Sequence, residues 1–201
     1  MRRIGIFGGT FDPVHNGHIN LAEDAIREAQ LDEVVMIPAR IQPFKQDVKT
    51  ASGEERLHML KLAAEGNGRL SVSDFELLQE SVSYTYLTMR HMQKEYPDAK
   101  LYFITGTDSM LKLDTWKNAP ELLTGYSYIV GTRPGYRQDE LEETMARLRC
   151  EYGTEIINLS QTQLNISATE VRQRLAAGEA VSGLIPEAVE RYIEEHGLYR
   201  L

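Results

Sequence analysis

Only one cysteine, Cys150, occurs in 201 residues, so no intramolecular disulfide can form. A lone thiol suits a reducing compartment. No run of about 18 apolar residues is present, which argues against a membrane-spanning helix. The apolar start Ile4-Gly5-Ile6-Phe7 ends at Gly8-Gly9, too soon for the h-region of a secretory signal. A cytoplasmic location is therefore expected. Positive charge is also scarce: 22 Lys and Arg stand against 30 Asp and Glu, a net charge of −8. That balance disfavours sequence-independent nucleic-acid binding, which depends on neutralising phosphates. It leaves room for an anionic small substrate, because a few local cations and helix starts can hold a phosphate. Repeats, low-complexity tracts and linker-like shifts in composition are missing too. With 42% hydrophobic and 26% charged residues, the chain reads as one globular domain over residues 1–201 that needs no staple. A homo-oligomer is compatible with such a chain.

What is present is alternation. Apolar, strand-like runs recur at Arg3 to Phe7, Glu33 to Ile37, Leu70 to Val72, Leu101 to Thr105, Tyr126 to Val130 and Glu155 to Asn158. Helical stripes lie between them, such as Ile19, Ala22, Ile26 and Ala29, or Leu141, Met145 and Leu148. Strands alternating with helices predict an α/β fold, a doubly wound and mostly parallel sheet with helices on both faces. The tail, 167–201, reads as a small helical part. One helix should run from Ser167 to Ala177, and another from Pro186 to His196, with Pro186 in its first turn and Gly197 as its stop. These helices are expected at the sheet edge or beside its open end. Ligands in such folds bind outside the carboxyl ends of the strands.

The first strand leads into Gly8-Gly9-Thr10-Phe11-Asp12-Pro13-Val14-His15-Asn16-Gly17-His18. Two glycines permit a sharp turn and a close approach to a ligand. A spacing of three places His15 and His18 on one face at a helix start, where free N–H groups favour an anion. Gly17 between them is expected to clear space for a phosphate. Paired imidazoles of this kind can hold the oxygens of a transferring phosphoryl group, and an ionised acceptor phosphate needs no general base. The plainer readings are a partial metal site or surface histidines. Neither a third histidine nor a cysteine lies nearby at ligand spacing.

The segment Gly9 to His18 resembles the G-x-F-x-P-x-H-x-G-H signature of the nucleotidylyltransferase superfamily, matching six fixed positions without a gap. The resemblance implies a Rossmann-like fold, ATP as adenylyl donor, and Mg²⁺ carried on the triphosphate. It implies catalysis by His15 and His18, and ATP contacts from Gly8, Gly9, Thr10 and Phe11. Ile166-Ser167-Ala168-Thr169-Glu170-Val171-Arg172 resembles the superfamily's second signature, I-S-S-T-x-x-R, which implies that Ser167, Thr169 and Arg172 meet the phosphates. Ala168 departs from it, standing where a second serine is usual. Read physically, Ser167 and Glu170 form a capping box. Arg172, on the first turn, would be repelled by the helix dipole unless an anion lay beside it.

Ser83-Tyr84-Thr85, Gly106-Thr107-Asp108, the lone Trp116 and Arg133 beyond the fifth strand together resemble the bacterial nicotinate-nucleotide adenylyltransferases, over nearly the whole chain. Those enzymes join ATP to nicotinate mononucleotide. The resemblance implies Gly106 and Asp108 as adenosine and ribose contacts, and Lys45, Thr85, Trp116 and Arg133 as acceptor contacts. Phe44 stands where that family commonly has a histidine. Rival readings are an adenylyltransferase for nicotinamide mononucleotide or pantetheine phosphate, a non-catalytic nucleotide sensor, and an aminoacyl-tRNA synthetase-like activity. The intact histidine pair argues against the sensor. The short acidic chain argues against the synthetase.

Overall fold

The computed structural model describes residues 1–40, 51–80, 82–132, 137–162 and 164–200. Six strands, β1 (Arg2–Gly9), β2 (Glu33–Pro38), β3 (Leu70–Val72), β4 (Ala99–Gly106), β5 (Ser127–Thr132) and β6 (Ile156–Thr162), form one sheet in the order β3-β2-β1-β4-β5-β6. Every pairing is parallel, with Ile4 of β1 opposite Glu33 on one side and Leu101 on the other. The strands are almost wholly apolar because both faces are covered. Their period of two divides them cleanly. Ile4, Ile6, Val35, Leu101, Phe103, Tyr128 and Val130 enter one core, while Phe7, Val34, Met36, Tyr102, Ile104 and Ile129 enter the other.

The first of these cores is closed by α3 (Thr85–Glu95), α5 (Ala119–Gly125) and α6 (Gln138–Tyr152), through Met89, Met92, Leu122, Leu141 and Met145. The second is closed by α1 (Asn16–Glu28), α2 (Gly53–Ala64), α7 (Ala168–Ala176) and α8 (Glu187–His196), through Ala22, Ala25, Met59, Val171, Val189 and Ile193. At Gly5 an added Cβ would lie 2.8 Å from Ile104 and Leu31, so glycine lets the second core close onto β1. Of the two places expected for the tail helices, the open end of the sheet is the one α7 meets, Arg172 donating to the carbonyl of Asp12 in the loop after β1. Both tail helices join the same core as α1 and α2, and the turn preceding α8 reaches the start of α1, where Asn16 N–H donates to the Leu184 carbonyl at 2.8 Å. Pro186 is the N-cap of α8 rather than part of its first turn, and Gly197 ends that helix at φ 62°. Among the described residues no helix is long and apolar enough to cross a membrane.

Between Thr107 and Gly125 the chain makes three short elements that periodicity does not reveal: α4 (Thr107–Met110), a 3₁₀ turn at Leu113–Thr115, and α5. The strand order reverses direction at β1, whose neighbours are β2 and β4. A crevice opens at the carboxyl ends there, at the topological switch point.

Candidate active site

Gly8 and Gly9 remain in β1 and do not form the turn expected of them. The turn comes at Phe11, a non-glycine residue at φ 50°. Its ring is buried, edge-on to Phe7 (centroids 5.3 Å, 84°) and to His18 (4.9 Å, 73°). A Cβ on Gly9 would lie 2.9 Å from that wedged ring. Gly9 therefore makes room for Phe11. Gly17 likewise is corrected: its missing Cβ would fall 3.0 Å from Nδ1 of His15, so the space is filled by the catalytic candidate's own ring. The start of α1 is also less open than the sequence suggests, since Asn16 N–H goes to Leu184 and His18 N–H to the His15 carbonyl at 2.9 Å.

His15 is the N-cap of α1 and His18 its third residue. Their rings stack at 3.6 Å and 19°, which immobilises both. The backbone N–H of His15 donates to Nδ1 of His18 at 3.3 Å. An accepting Nδ1 leaves the proton of a neutral His18 on Nε2, where it can donate to an oxyanion. His15 is buried and His18 half-buried, so the pair forms a rigid donor edge.

Beneath the loop lies a buried polar network. Asp12, only 2% exposed, accepts on Oδ1 from the Tyr199 hydroxyl at 2.6 Å and from Ala51 N–H at 2.9 Å. Arg172 donates from Nη1 to the Asp12 carbonyl at 2.6 Å, and the same nitrogen is 3.7 Å from Asp12 Oδ2. Its Nη2 donates to Thr169 Oγ1 at 3.4 Å. Here is the anion that the helix dipole requires next to Arg172, and the chain supplies it. Ser167 caps α7 by accepting from Glu170 N–H at 3.1 Å, but Glu170 turns to Arg174, so the capping box is only half formed. The reciprocal box occurs instead at α2, between Ser52 and Glu55.

Arg56, buried in α2, donates to three carbonyls: Ala51 (3.1 Å), Thr10 (2.8 Å) and Ala39 (2.7 Å). Burial lowers the pKa of its guanidinium, and the nearby Asp12 charge pulls it back up. It ties the ends of β1 and β2 to α2. Arg56→Met should cost about 2 kcal/mol, because charged hydrogen bonds are lost and buried carbonyls are left unpaired. Urea unfolding with an unchanged m-value is the check, and a loss under about 0.5 kcal/mol would show the carbonyls find other partners.

Across the crevice from the loop is a cavity of about 750 Å³. Gly8 and Gly9, Gly106 and Asp108, Thr85 and Trp116 all line it, so the cavity gathers residues that lie far apart in the sequence. Trp116 is half-buried and edge-to-face with Phe103 at 5.9 Å. The first N–H groups of a helix have no acceptor within it, and those of α3 lie at the wall formed by Ser83, Tyr84 and Thr85. Asp108 is 3.5 Å from Arg137.

Sequence reasoning did not single out several of the residues found here. Glu76 lines the cavity almost wholly buried, accepting from the Thr88 hydroxyl at 2.6 Å. Burial pushes its carboxyl pKa up, against the hydrogen bonds of Thr88 and Ser83. Lys112 and Lys117 line the same cavity, Lys117 Nζ lying 4.2 Å from the Tyr84 ring centroid. Asp12 and Tyr199 appear in the sequence only as motif letters and a terminal aromatic. Lys45, Phe44 and Arg133 lie outside the described residues. Thr10, Phe11, His15, His18, Ser167, Thr169 and Arg172 are not part of the cavity wall. They belong to the loop after β1 and the start of α7, joined through Arg172 and Asp12.

The cytidylyltransferase-like family model matches residues 6–174. A protein of Thermoanaerobacter sp. named "Probable nicotinate-nucleotide adenylyltransferase" is 40% identical over 98% of this chain and 94% of its own length. A Clostridium novyi protein of the same name is 35% identical over the full length of both. The solved structure of Plasmodium falciparum nicotinic acid mononucleotide adenylyltransferase, in complex with NaAD, shares the fold with a TM-score of 0.80, at 18% identity over 99% of this chain and 98% of its own. By the family match and the full-length identities, the chain belongs to the cytidylyltransferase-like family and stands among its nicotinate-nucleotide adenylyltransferases.

Proposed function

We propose that this chain transfers the adenylyl group of ATP to nicotinate mononucleotide, giving nicotinate adenine dinucleotide and pyrophosphate, as a step of NAD biosynthesis. One observation carries the reading. The stacked pair His15 and His18 is joined, through the Phe7 ring that His18 meets edge-on at 6.0 Å, to a cavity at the carboxyl ends of β1 and β4 whose wall holds Thr85, at the start of α3, and Trp116. A phosphate oxygen of the acceptor forms a bond to the α-phosphorus. The bond from that phosphorus to the bridging oxygen breaks, and pyrophosphate leaves with the electron pair. Charge grows on the oxygens of the transferring group, where Nε2–H of His18 and the His15 ring would donate.

In this reading Gly8, Gly9, Thr10 and Phe11 shape the nucleotide side, while Gly106 and Asp108 take adenosine and ribose. Ser167, Thr169 and Arg172 border the triphosphate, with Arg172 also holding the loop. Thr85 and Trp116 receive the pyridine ring, and Lys45 and Arg133 are further acceptor contacts. A divalent cation, Mg²⁺ in our reading, would travel on the triphosphate, taking most of its ligands from phosphate and water. The side chains bordering that region are hydrogen-bond donors (His15, His18, Arg172) rather than a carboxylate cage, and this suits a metal brought by the nucleotide. Bound there, the ion would offset phosphate charge. The chain would act as a single domain in the cytoplasm. Pyrophosphate release from ATP and Mg²⁺ with nicotinate mononucleotide tests the reading. No release with that acceptor, under conditions where the protein is folded and binds ATP, would overturn it.

A further inference from the structure

Tyr199, two residues before the last position of the sequence, contributes no atom to the cavity, yet its hydroxyl is bound 187 positions away beneath the histidine loop. We propose that Tyr199 is a positioning residue for adenylyl transfer: acting through Asp12, it sets the loop after β1 and the direction of Arg172. The inference rests on the reading of the site as an adenylyltransferase and goes beyond it.

The geometry is specific. Asp12 is nearly fully buried, and among the described residues its carboxylate meets Tyr199 O–H and Ala51 N–H on Oδ1 and the Arg172 fork 3.7 Å from Oδ2, with the Arg56 charge also close. Burial, followed by the Asp12 charge, drives the Tyr199 phenol well above its ordinary range, so the hydroxyl stays protonated and donates. A buried carboxylate seeks its full set of donors. With Tyr199 and Ala51 satisfying Oδ1, Arg172 approaches Oδ2 only loosely and binds the Asp12 carbonyl instead. Withdraw the hydroxyl, and the carboxylate is left one strong donor short. The partner that can supply the difference is Arg172, whose side chain is still 24% exposed in α7. Closing the 3.7 Å gap would turn its fork inward and pull on the Asp12–Pro13 segment that leads to His15.

The backbone has been arranged for this contact. Tyr199 sits at φ 62°, a left-handed conformation unusual for an aromatic residue, just after Gly197 ends α8 at a similar φ. The chain reverses there and brings the ring back under the loop. Arg56, also nearby, leaves Asp12 to Tyr199 because its own donors go to carbonyls.

The test is Tyr199→Phe in the full chain, assayed per folded molecule with ATP and nicotinate mononucleotide varied separately. Expected is a fall in kcat of about tenfold and a rise in KM for ATP of severalfold, with KM for the acceptor unchanged, in line with losing one charge-assisted hydrogen bond. A purely structural tyrosine would lower the melting temperature without splitting the two KM values. Wild-type kinetics within twofold for the folded variant would overturn the proposal. Should Tyr199→Phe not fold, Asp12→Asn keeps an oxygen for Tyr199 and Ala51 while removing the charge that faces Arg172. Facing an amide nitrogen in place of Oδ2, the Arg172 fork would lose its direction, so KM for ATP should rise while that for the acceptor does not, and normal ATP kinetics would again overturn the proposal. A wild-type protein inactive toward nicotinate mononucleotide would instead defeat the reading of the function, an outcome that these variant-to-wild-type ratios keep separate.

Discussion

His18→Ala should lower kcat by about two to three orders of magnitude, the usual cost of removing one preorganised donor from a developing oxyanion. The motive is geometric. His18 accepts on Nδ1 from the His15 backbone N–H, which in the neutral ring puts the proton on Nε2, the nitrogen that would donate to the oxyanion. The Phe11 and Phe7 rings fix His18 from the side and His15 fixes it from the face. Because the two imidazoles stack at 3.6 Å, each loses its support when the other is removed. His15→Ala should therefore cost a similar factor, and the double variant much less than the product of the two. Steady-state turnover, with folding followed by circular dichroism, measures all three. Folded single variants that turn over at nearly the wild-type rate would remove both histidines from the chemistry. Losses that multiply in the double variant would show that the rings act independently despite their stacking.

Much of the fold is legible in the sequence because a sheet covered on both faces must be apolar along its whole length. Each of the six strand runs, from Arg3 to Asn158, falls on an observed strand, with ends that coincide or shift by up to four residues. The stretch from Thr107 to Gly125 is not legible, because a four-residue helix and a 3₁₀ turn are too short to display a period. At the site the residue types were readable and several of their roles were not. Gly9 and Gly17 look like room for a ligand, but what would meet a Cβ depends on where the Phe11 and His15 rings lie. Arg172 illustrates the same limit. A cation on a helix's first turn does imply an adjacent anion, and the sequence offers a phosphate as the candidate. The structure puts Asp12, 160 positions away, beside it. Tyr199 and Asp12 are farther apart still, and no local pattern announces a contact of that range.

Nicotinate mononucleotide should be used at least about 100-fold better than nicotinamide mononucleotide, measured as kcat/KM at equal ATP and Mg²⁺. The two acceptors differ only in carboxylate against amide, so the wall that meets that group decides the ratio. At Ser83-Tyr84-Thr85 the wall is the beginning of α3, where the Leu87 N–H turns back to the Tyr84 carbonyl at 2.9 Å and the N–H groups of Thr85 and Tyr86 are the ones a carboxylate would meet. Donors suit both oxygens of a carboxylate, whereas an amide would turn its NH₂ toward them. A mispaired buried polar group costs about 1–3 kcal/mol, and losing a charge-assisted bond adds to it. At 1.4 kcal/mol per decade the sum is roughly two to four decades. Glu76 lies in the same wall, its carboxyl pKa raised by burial against the hydrogen bonds of Thr88 and Ser83. Lys112 and Lys117 add positive charge at the cavity. In the proposed function the half-exposed ring of Trp116 stacks on the pyridine of either acceptor, so Trp116→Ala should weaken both alike and spare ATP binding. Equal kcat/KM for the two mononucleotides, or a preference for the amide, would separate the α3 start from carboxylate recognition. A Trp116→Ala variant that loses one acceptor and keeps the other would move discrimination from the helix start to the ring.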